Sequence, residues 1–245
     1  MDIHKFYQRI KNGERSTTAL VNSKTFEECF EAILKSGKDI LYIGFSSGLS
    51  GTYNSSLVAA ETLKEKYPDS KIICTDTLAA SMGEGLLVYY AAKLKEQGQS
   101  IEEVSQWIID NRLKLCQWFT VDDLNHLKRG GRINAMTATL GSALNVKPIL
   151  HVNDEGHLIP AYNVRGRKKS IHALFDQMEK LCLDPKEHTV FISHADSLED
   201  TQYLANMIKE KLHVKEVIIN FMGPVIGSHT GQGAISLFFM GKSRK

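Results

Sequence analysis

The chain has 245 residues, 42% of them hydrophobic, which is enough to bury a core in one large domain or two smaller ones. Its 30 Lys and Arg against 28 Asp and Glu leave a formal net charge of +2, so no bulk field recruits nucleic acid or an anionic membrane. A small ligand or a protein partner is expected instead. The four cysteines, Cys29, Cys74, Cys116 and Cys182, form no C-x-x-C pair, and no segment is apolar enough to span a bilayer. Buried thiols in a reducing compartment, a cytoplasmic location and no stable membrane insertion are the expectation.

In chain order, the first 43 residues hold at most a helix or two. Lys38 to Gly44 then reads as a strand ending in glycine. It feeds the serine-rich stretch Gly44-Phe-Ser-Ser-Gly-Leu-Ser-Gly-Thr-Tyr53. Behind that, Tyr53, Leu57, Ala60, Leu63 and Tyr67 recur at spacings of three and four, one face of a helix that Pro68 and Asp69 stop. The unit repeats with a strand at Lys71 to Thr75 and a helix from Ser81 to Gln97, with Gly98 as its stop. Alternation of this kind implies a parallel sheet with helices on its faces. Ser100-Ile-Glu-Glu103 is a capping box opening a helix to about Lys114.

Leu127 to Ile133 reads as a helix end, a glycine turn and a restart, followed by small residues at Thr137 to Leu144 that suit close helix packing. The character then changes. Lys147 to Pro160 reads as a hairpin turning at Asn153 to Gly156. Ser170 to Leu181 and Ser197 to Leu212 are amphipathic helices flanking a strand at Thr189 to Ser193. Strands at Val217 to Phe221 and Ala234 to Met240 enclose a glycine-rich loop that carries His229. The expected fold class is α/β with two domains: residues 1–145, an α/β domain with a parallel sheet, and 146–245, an α+β domain with a mainly antiparallel sheet.

Gly44-x-Ser46-x-Gly48 has the letters of a nucleophile elbow. In that architecture several strands and an oxyanion loop precede the nucleophile, and only 43 residues precede Gly44 here, although Asp196 and His229 follow in the order a triad needs. A second reading is an anion site, in which backbone N–H groups and hydroxyls of Ser46, Ser47 and Gly48 hold a carboxylate or phosphate at a helix start. In a third, Ser50 or Thr52 is simply an N-cap and the other serines are turn residues. The histidines show no metal-ligand spacing, so no metal and no cofactor are expected.

Gly44-Phe-Ser-Ser-Gly-Leu-Ser-Gly-Thr-Tyr, Asp76-Thr-Leu-Ala-Ala-Ser-Met-Gly-Glu-Gly-Leu-Leu, Phe119-Thr-Val-Asp-Asp-Leu-Asn-His-Leu-Lys-Arg-Gly-Gly-Arg-Ile and Asn145-Val-Lys-Pro-Ile-Leu together resemble the DegV family. The likeness continues through Arg165-Gly-Arg-Lys-Lys, Ser193-His-Ala-Asp and the loop with His229, and so spans nearly the whole chain. It implies a two-domain protein that binds one long-chain fatty acid in an interior tunnel. It also implies an ATP-dependent fatty acid kinase as partner, to which the carboxylate is presented for acyl phosphate formation in bacterial phospholipid synthesis, with no catalysis by this chain.

Carried over by motif, the carboxylate site falls on Thr17, Thr18, Ser46, Ser47, Gly48 and His229, with Ser47 favoured of the serine pair. Arg165, Arg167 and Lys168 match a basic segment that in some members engages the kinase; otherwise they form a solvated basic face. The family's opening strand and helix precede the point where this sequence starts and are expected to be missing. Phe45, Leu49 and Met222 are candidates for the tunnel lining, and a monomer is expected. Two other function classes stay open beside this one: a serine hydrolase using Ser46, and a regulatory protein using its basic segment.

Overall fold

The computed structural model describes residues 1–133 and 145–244. The small-residue segment expected to pack helices over 137–144 lies outside them. The chain separates into two compact units, neither of them continuous. The smaller comprises Ala19–Ala80 and Glu84–Leu113, the larger Met1–Thr18, Ser81–Gly83 and Lys114–Lys245.

The smaller unit contains α2 (Ser23–Leu34), β1 (Ile40–Gly44), α3 (Thr52–Lys66), β2 (Ile72–Asp76), most of α4 (Met82–Glu96) and α5 (Ile101–Asn111). Strands β1 and β2 run parallel from Ile40 opposite Ile72 to Gly44 opposite Asp76, as strand–helix alternation requires. Phe26, Phe30 and Leu34 of α2 meet Ala59, Ala60 and Leu63 of α3 over Ile40 and Ile72. Helix α3 ends at Lys66 with Tyr67 as its C-cap, just before Pro68, because proline has no N–H and clashes with the preceding turn. Leu57, expected on its buried stripe, is exposed, and Ser56 and Ala59 are buried instead. The capping box is complete, with Ser100 Oγ accepting from Glu103 N and Glu103 accepting from Ser100 N.

The larger unit contains α1 (Ile3–Lys11), β3 (Leu115–Thr120), α6 (Asn125–Arg129), β4 (Val146–Val152), β5 (Leu158–Arg165), α7 (Arg167–Leu181), β6 (Thr189–His194), α8 (Leu198–Leu212), β7 (Glu216–Phe221), α9 (Pro224–Thr230) and β8 (Ile235–Met240). Its six strands lie in the order β5-β4-β3-β8-β6-β7. All neighbours are antiparallel except β6 and β7. The hairpin turns at Asn153 to Gly156 as expected, with Gly156 at φ 78° and its N–H on the Asn153 carbonyl at 3.0 Å.

Every residue of β3 and β8 is buried, and successive side chains go to opposite faces. Cys116 and Trp118 join Leu174, Ile192 and Leu204, whereas Phe119 and Val121 join Phe6, Tyr7 and Leu127. A strand covered on both faces has no alternation of polar and apolar residues to reveal it, and β3 carries none. Its six-residue ladder to β8, from Leu115 opposite Met240 to Thr120 opposite Ile235, ties it to the end of the chain. Helix α1 joins the same unit, for Tyr7 is fully buried and its hydroxyl donates to the Met222 carbonyl at 2.6 Å. Packing therefore divides the chain around residues 1–18 and at Leu113 and Lys114, where a single cut near Asn145 was expected.

The segment expected to be a glycine-rich loop folds as α9, with Pro224 in its first turn and Gly231 at φ 75° just past its end. Proline at a helix start and glycine at its stop are an ordinary pair of helix signals. Among the described residues no helix is long and apolar enough to cross a membrane.

Candidate carboxylate site

A pocket of about 430 Å³ opens in the larger unit. The turn after α1 contributes Glu14, Arg15, Ser16, Thr17 and Thr18, α6 and its following turn contribute His126, Arg129, Gly130 and Arg132, and α9 contributes Ser228 and His229. Three of the residues expected at a carboxylate site, Thr17, Thr18 and His229, thus line one pocket although 211 positions separate the last two. Thr18 Oγ1 and His229 Nε2 are 2.7 Å apart and share a hydrogen bond. Among the described residues, His229 Nδ1 and Ser16 Oγ are buried without a hydrogen-bond partner, which suits both to meet an oxygen of a ligand.

The two glycine motifs fit into one another here. A Cβ at Gly130 would collide with the His229 ring, one at Gly231 would lie 2.6 Å from His126 Cδ2, and one at Gly233 would strike the Asp122 carboxylate. Gly231 and Gly233 also sit at positive φ, 75° and 86°, a region where a side chain is strained. Gly130 and Gly231 make room for the two histidines that line the pocket. Burial, followed by the Arg132 charge, holds the His229 pKa below its ordinary value; burial and then Arg129 do the same to His126. In both, the neutral imidazole is the form the surroundings favour. When Nε2 of a neutral His229 accepts from Thr18, Nδ1 carries the hydrogen and is the donor.

Ser46, Ser47 and Gly48 belong to the smaller unit, on the turn between β1 and α3. Ser46 is fully buried. Its N–H donates to the Ala79 carbonyl at 2.9 Å, and its own carbonyl accepts from Leu49 N and Ser50 N. Gly48 N donates to Ser46 Oγ at 3.2 Å, and Ser47 N donates to Asp76 Oδ1 at 3.3 Å. The amides of Ser47 and Gly48 are thus engaged within the turn. Ser47 is exposed. Gly51 is the N-cap of α3 and makes no side-chain cap; Ser50 Oγ does accept from Thr52 N at 3.2 Å.

Asp76 has a role that sequence reasoning missed. Its Oδ1 accepts from Leu78 N at 2.9 Å as well as from Ser47 N, so one carboxylate pins the serine turn to the end of β2. Burial first, and the Asp76 charge second, push the Glu84 carboxyl up to about 7. Both residues stand in the motif that begins at Asp76, where their spacing signalled nothing by itself. Ser16, Arg129 and Arg132 of the pocket were missed as well. The Gly130-Gly131 pair beside them was the available signal.

Among the described residues the Asp–His half of a hydrolytic triad is not assembled. Within the larger unit, Asp196 bonds His4 Nδ1 at 2.9 Å and Gln232 Nε2 at 3.1 Å, while His229 faces Thr18. Among the described residues no carboxylate is bonded to this imidazole to orient it. Ser46 is also absent from the described residues at positive φ, where a nucleophile elbow strains its serine.

The basic segment is only partly a free face. Arg167 Nε pairs with Asp200 Oδ2 at 2.7 Å, and its Nη1 lies 3.6 Å from Asp122 Oδ1, so it is an internal tie, whereas Arg165 and Lys168 are exposed. Cys29 is exposed, against the expectation of buried thiols, while Cys116 is buried and its thiol is pushed up to about 12 by burial. Among the described residues no cluster of His, Cys, Asp and Glu could hold a metal ion.

Residues 1–242 match a family model described as "Uncharacterised protein, DegV family". A DegV domain-containing protein of Clostridium perfringens is 52% identical over 98% of this chain and 82% of its own. Among solved structures, a DegV lipid binding protein from Thermotoga maritima is 30% identical with a TM-score of 0.87, covering 99% of this chain and 84% of that one. A DegV family protein from Thermus thermophilus, described by its fatty acid binding, is 29% identical with a TM-score of 0.87, over 98% of this chain and 85% of that one.

Proposed function

The chain belongs to the DegV family, and on that footing we propose that it binds a single long-chain fatty acid in an interior tunnel and presents the carboxylate to a partner kinase, without catalysis of its own. The observation that carries this reading is the convergence of Thr17, Thr18 and His229 on one pocket. The lipid and fatty acid binding of the two structural relatives supports it. Ser47 is the residue of the serine turn that we assign to the carboxylate, and Ser46, Gly48 and Asp76 hold that turn in shape.

Affinity and orientation come from different parts of such a ligand. Burying about fourteen methylenes at roughly 0.8 kcal/mol each offers on the order of 11 kcal/mol before ordering costs, whereas each hydrogen bond adds about 1 kcal/mol. Neutral Ser, Thr and His donors hold the carboxylate without a bidentate ion pair. One carboxylate oxygen stays free to attack the γ-phosphorus of a nucleoside triphosphate on the kinase. The new O–P bond forms as the bridging P–O bond breaks, and the nucleoside diphosphate leaves. Exposed Arg165 and Lys168 are the groups we assign to kinase contact, and a monomer in a reducing cytoplasm is the matching setting.

Extraction of the purified protein should release one fatty acid per chain by mass spectrometry, and delipidated protein should take one up. Ser47→Ala combined with His229→Ala should abolish kinase-dependent acyl phosphate formation, trapped as the hydroxamate. A protein that carries no lipid and takes none up refutes the reading. Labelling of Ser46 by a fluorophosphonate would restore the hydrolase in its place.

A further inference from the structure

We propose that Asp76 and Glu84 form a carboxyl–carboxylate pair that positions the serine turn: while Glu84 keeps its proton, Asp76 holds the Ser47 backbone, and loss of that proton loosens the turn and lowers affinity. The inference rests on the fatty-acid reading above and adds to it two positioning residues and a control by pH.

The first argument is the seam that joins two segments of the smaller unit. Thr77 N and Thr77 Oγ1 both donate to the Gly44 carbonyl, at 3.1 and 2.7 Å, and Ser46 N donates to the Ala79 carbonyl at 2.9 Å. Ser47 N completes the seam on Asp76 Oδ1 at 3.3 Å. Of these four bonds the last alone ends on a carboxylate, and it is the one Ser47 makes. Asp76 Oδ1 is shared with Leu78 N at 2.9 Å, and Leu78 sits at φ 50°, a strained conformation for a leucine. A displaced Asp76 therefore releases Ser47 and a strained residue together.

The second argument is what surrounds the pair. Asp76 is buried at the end of β2, and Glu84 stands in the first turn of α4, close enough for the Asp76 charge to act on it. The other titratable groups facing them are Tyr42 of β1, which feels both carboxyl groups, Cys74 of β2 and Tyr53 of α3, which feels Asp76. Arg112, after α5, donates to the Asp76 carbonyl at 2.7 Å. Burial and then Asp76 push Glu84 up to about 7, whereas burial raises both tyrosines above their ordinary value. Near neutral pH the proton that moves is thus the one on Glu84, and it passes to solvent. Its loss leaves two like charges in a part-buried site, and Asp76 relieves the repulsion by giving up its bonds to Ser47 and Leu78.

The test titrates delipidated protein with palmitate by calorimetry at pH 6 and pH 8. The binding-competent form is the protonated one, about nine tenths of the protein at pH 6 and about one tenth at pH 8, so wild-type affinity should fall about tenfold relative to Glu84→Gln. That variant is permanently neutral, and because palmitate and His229 titrate alike in both proteins, the ratio isolates Glu84. Asp76→Asn keeps an Oδ1 acceptor for both amides and removes the like charge, so it should flatten the decline as well; burial of Glu84 acting alone would leave the decline as it is. Urea melts at both pH values establish that each protein is folded. A wild-type to Glu84→Gln ratio that is the same at both pH values, or an Asp76→Asn protein that declines as steeply as the wild type, overturns the pair and leaves the fatty-acid reading intact. Uptake of palmitate by none of the three proteins at either pH overturns both.

Discussion

Replacing Gly130 by alanine tests whether a glycine motif and a distant histidine form one device. Gly130 sits at φ −73°, ψ −8° at the end of α6, a conformation alanine adopts freely, so the backbone alone predicts a gain of about 0.4–1 kcal/mol from a stiffer unfolded chain. The added Cβ meets His229 Cε1 at 2.9 Å and Cγ at 3.3 Å, with Nδ1 nearer still. Overpacking of this kind costs about 1–3 kcal/mol, so the balance is a net destabilisation of about 1–2 kcal/mol. The ring also moves off Thr18 Oγ1, and loss of a hydrogen bond worth about 1 kcal/mol weakens fatty acid binding about fivefold. Urea unfolding and calorimetric titration read the two effects. Gly131→Ala is the control, because φ there is 69° with open space around the position: it should lose about 1–2 kcal/mol from backbone strain and keep its affinity. A Gly130→Ala protein that is more stable than the parent and binds as tightly would refute the account.

Three further outcomes follow from other contacts. Tyr7→Phe leaves the buried Met222 carbonyl without its donor at 2.6 Å and should cost about 1–3 kcal/mol in a urea melt; an unchanged midpoint contradicts the packing of α1. Glu84 has its folded pKa raised from 4.5 to about 7, so its neutral form is favoured by folding: the stabilisation is full below pH 4.5 and is lost as pH rises through about 7. Glu84→Gln should therefore gain stability over the wild type at pH 8, on the order of 2 kcal/mol, and little at pH 4.5; equal differences at both values contradict it. Arg167→Gln should lower thermal stability by breaking its pair with Asp200, whereas Arg165→Gln should leave the melt unchanged and weaken kinase binding in a salt-dependent way. The reverse pattern would exchange their roles.

Local chemistry was legible in the sequence because its rules act over a few residues. The capping box at Ser100 and Glu103, the stop of α3 before Pro68, the turn at Asn153 to Gly156 and the parallel β1–β2 pair follow from side-chain reach and periodicity within short windows. Helix α9 was legible in principle, from proline at its start and glycine at its stop, and the richness in glycine hid it.

Tertiary structure alone decided what depends on distant partners. Strand β3 has no alternation because both of its faces are covered, and it pairs with β8, which comes more than a hundred positions later, from Leu115 opposite Met240 to Thr120 opposite Ile235, which moves the division of the chain away from Asn145. Arg167 looks like its exposed neighbours Arg165 and Lys168 until folding brings Asp200 and Asp122 to it. Gly130 is an ordinary helix stop until the His229 ring arrives against it, and Thr18 gains meaning only at 2.7 Å from that ring. Thr17, Thr18 and His229 could be named from the sequence, but the pocket that gathers them with three arginines exists only once the turn after α1, α6 and α9 are packed together.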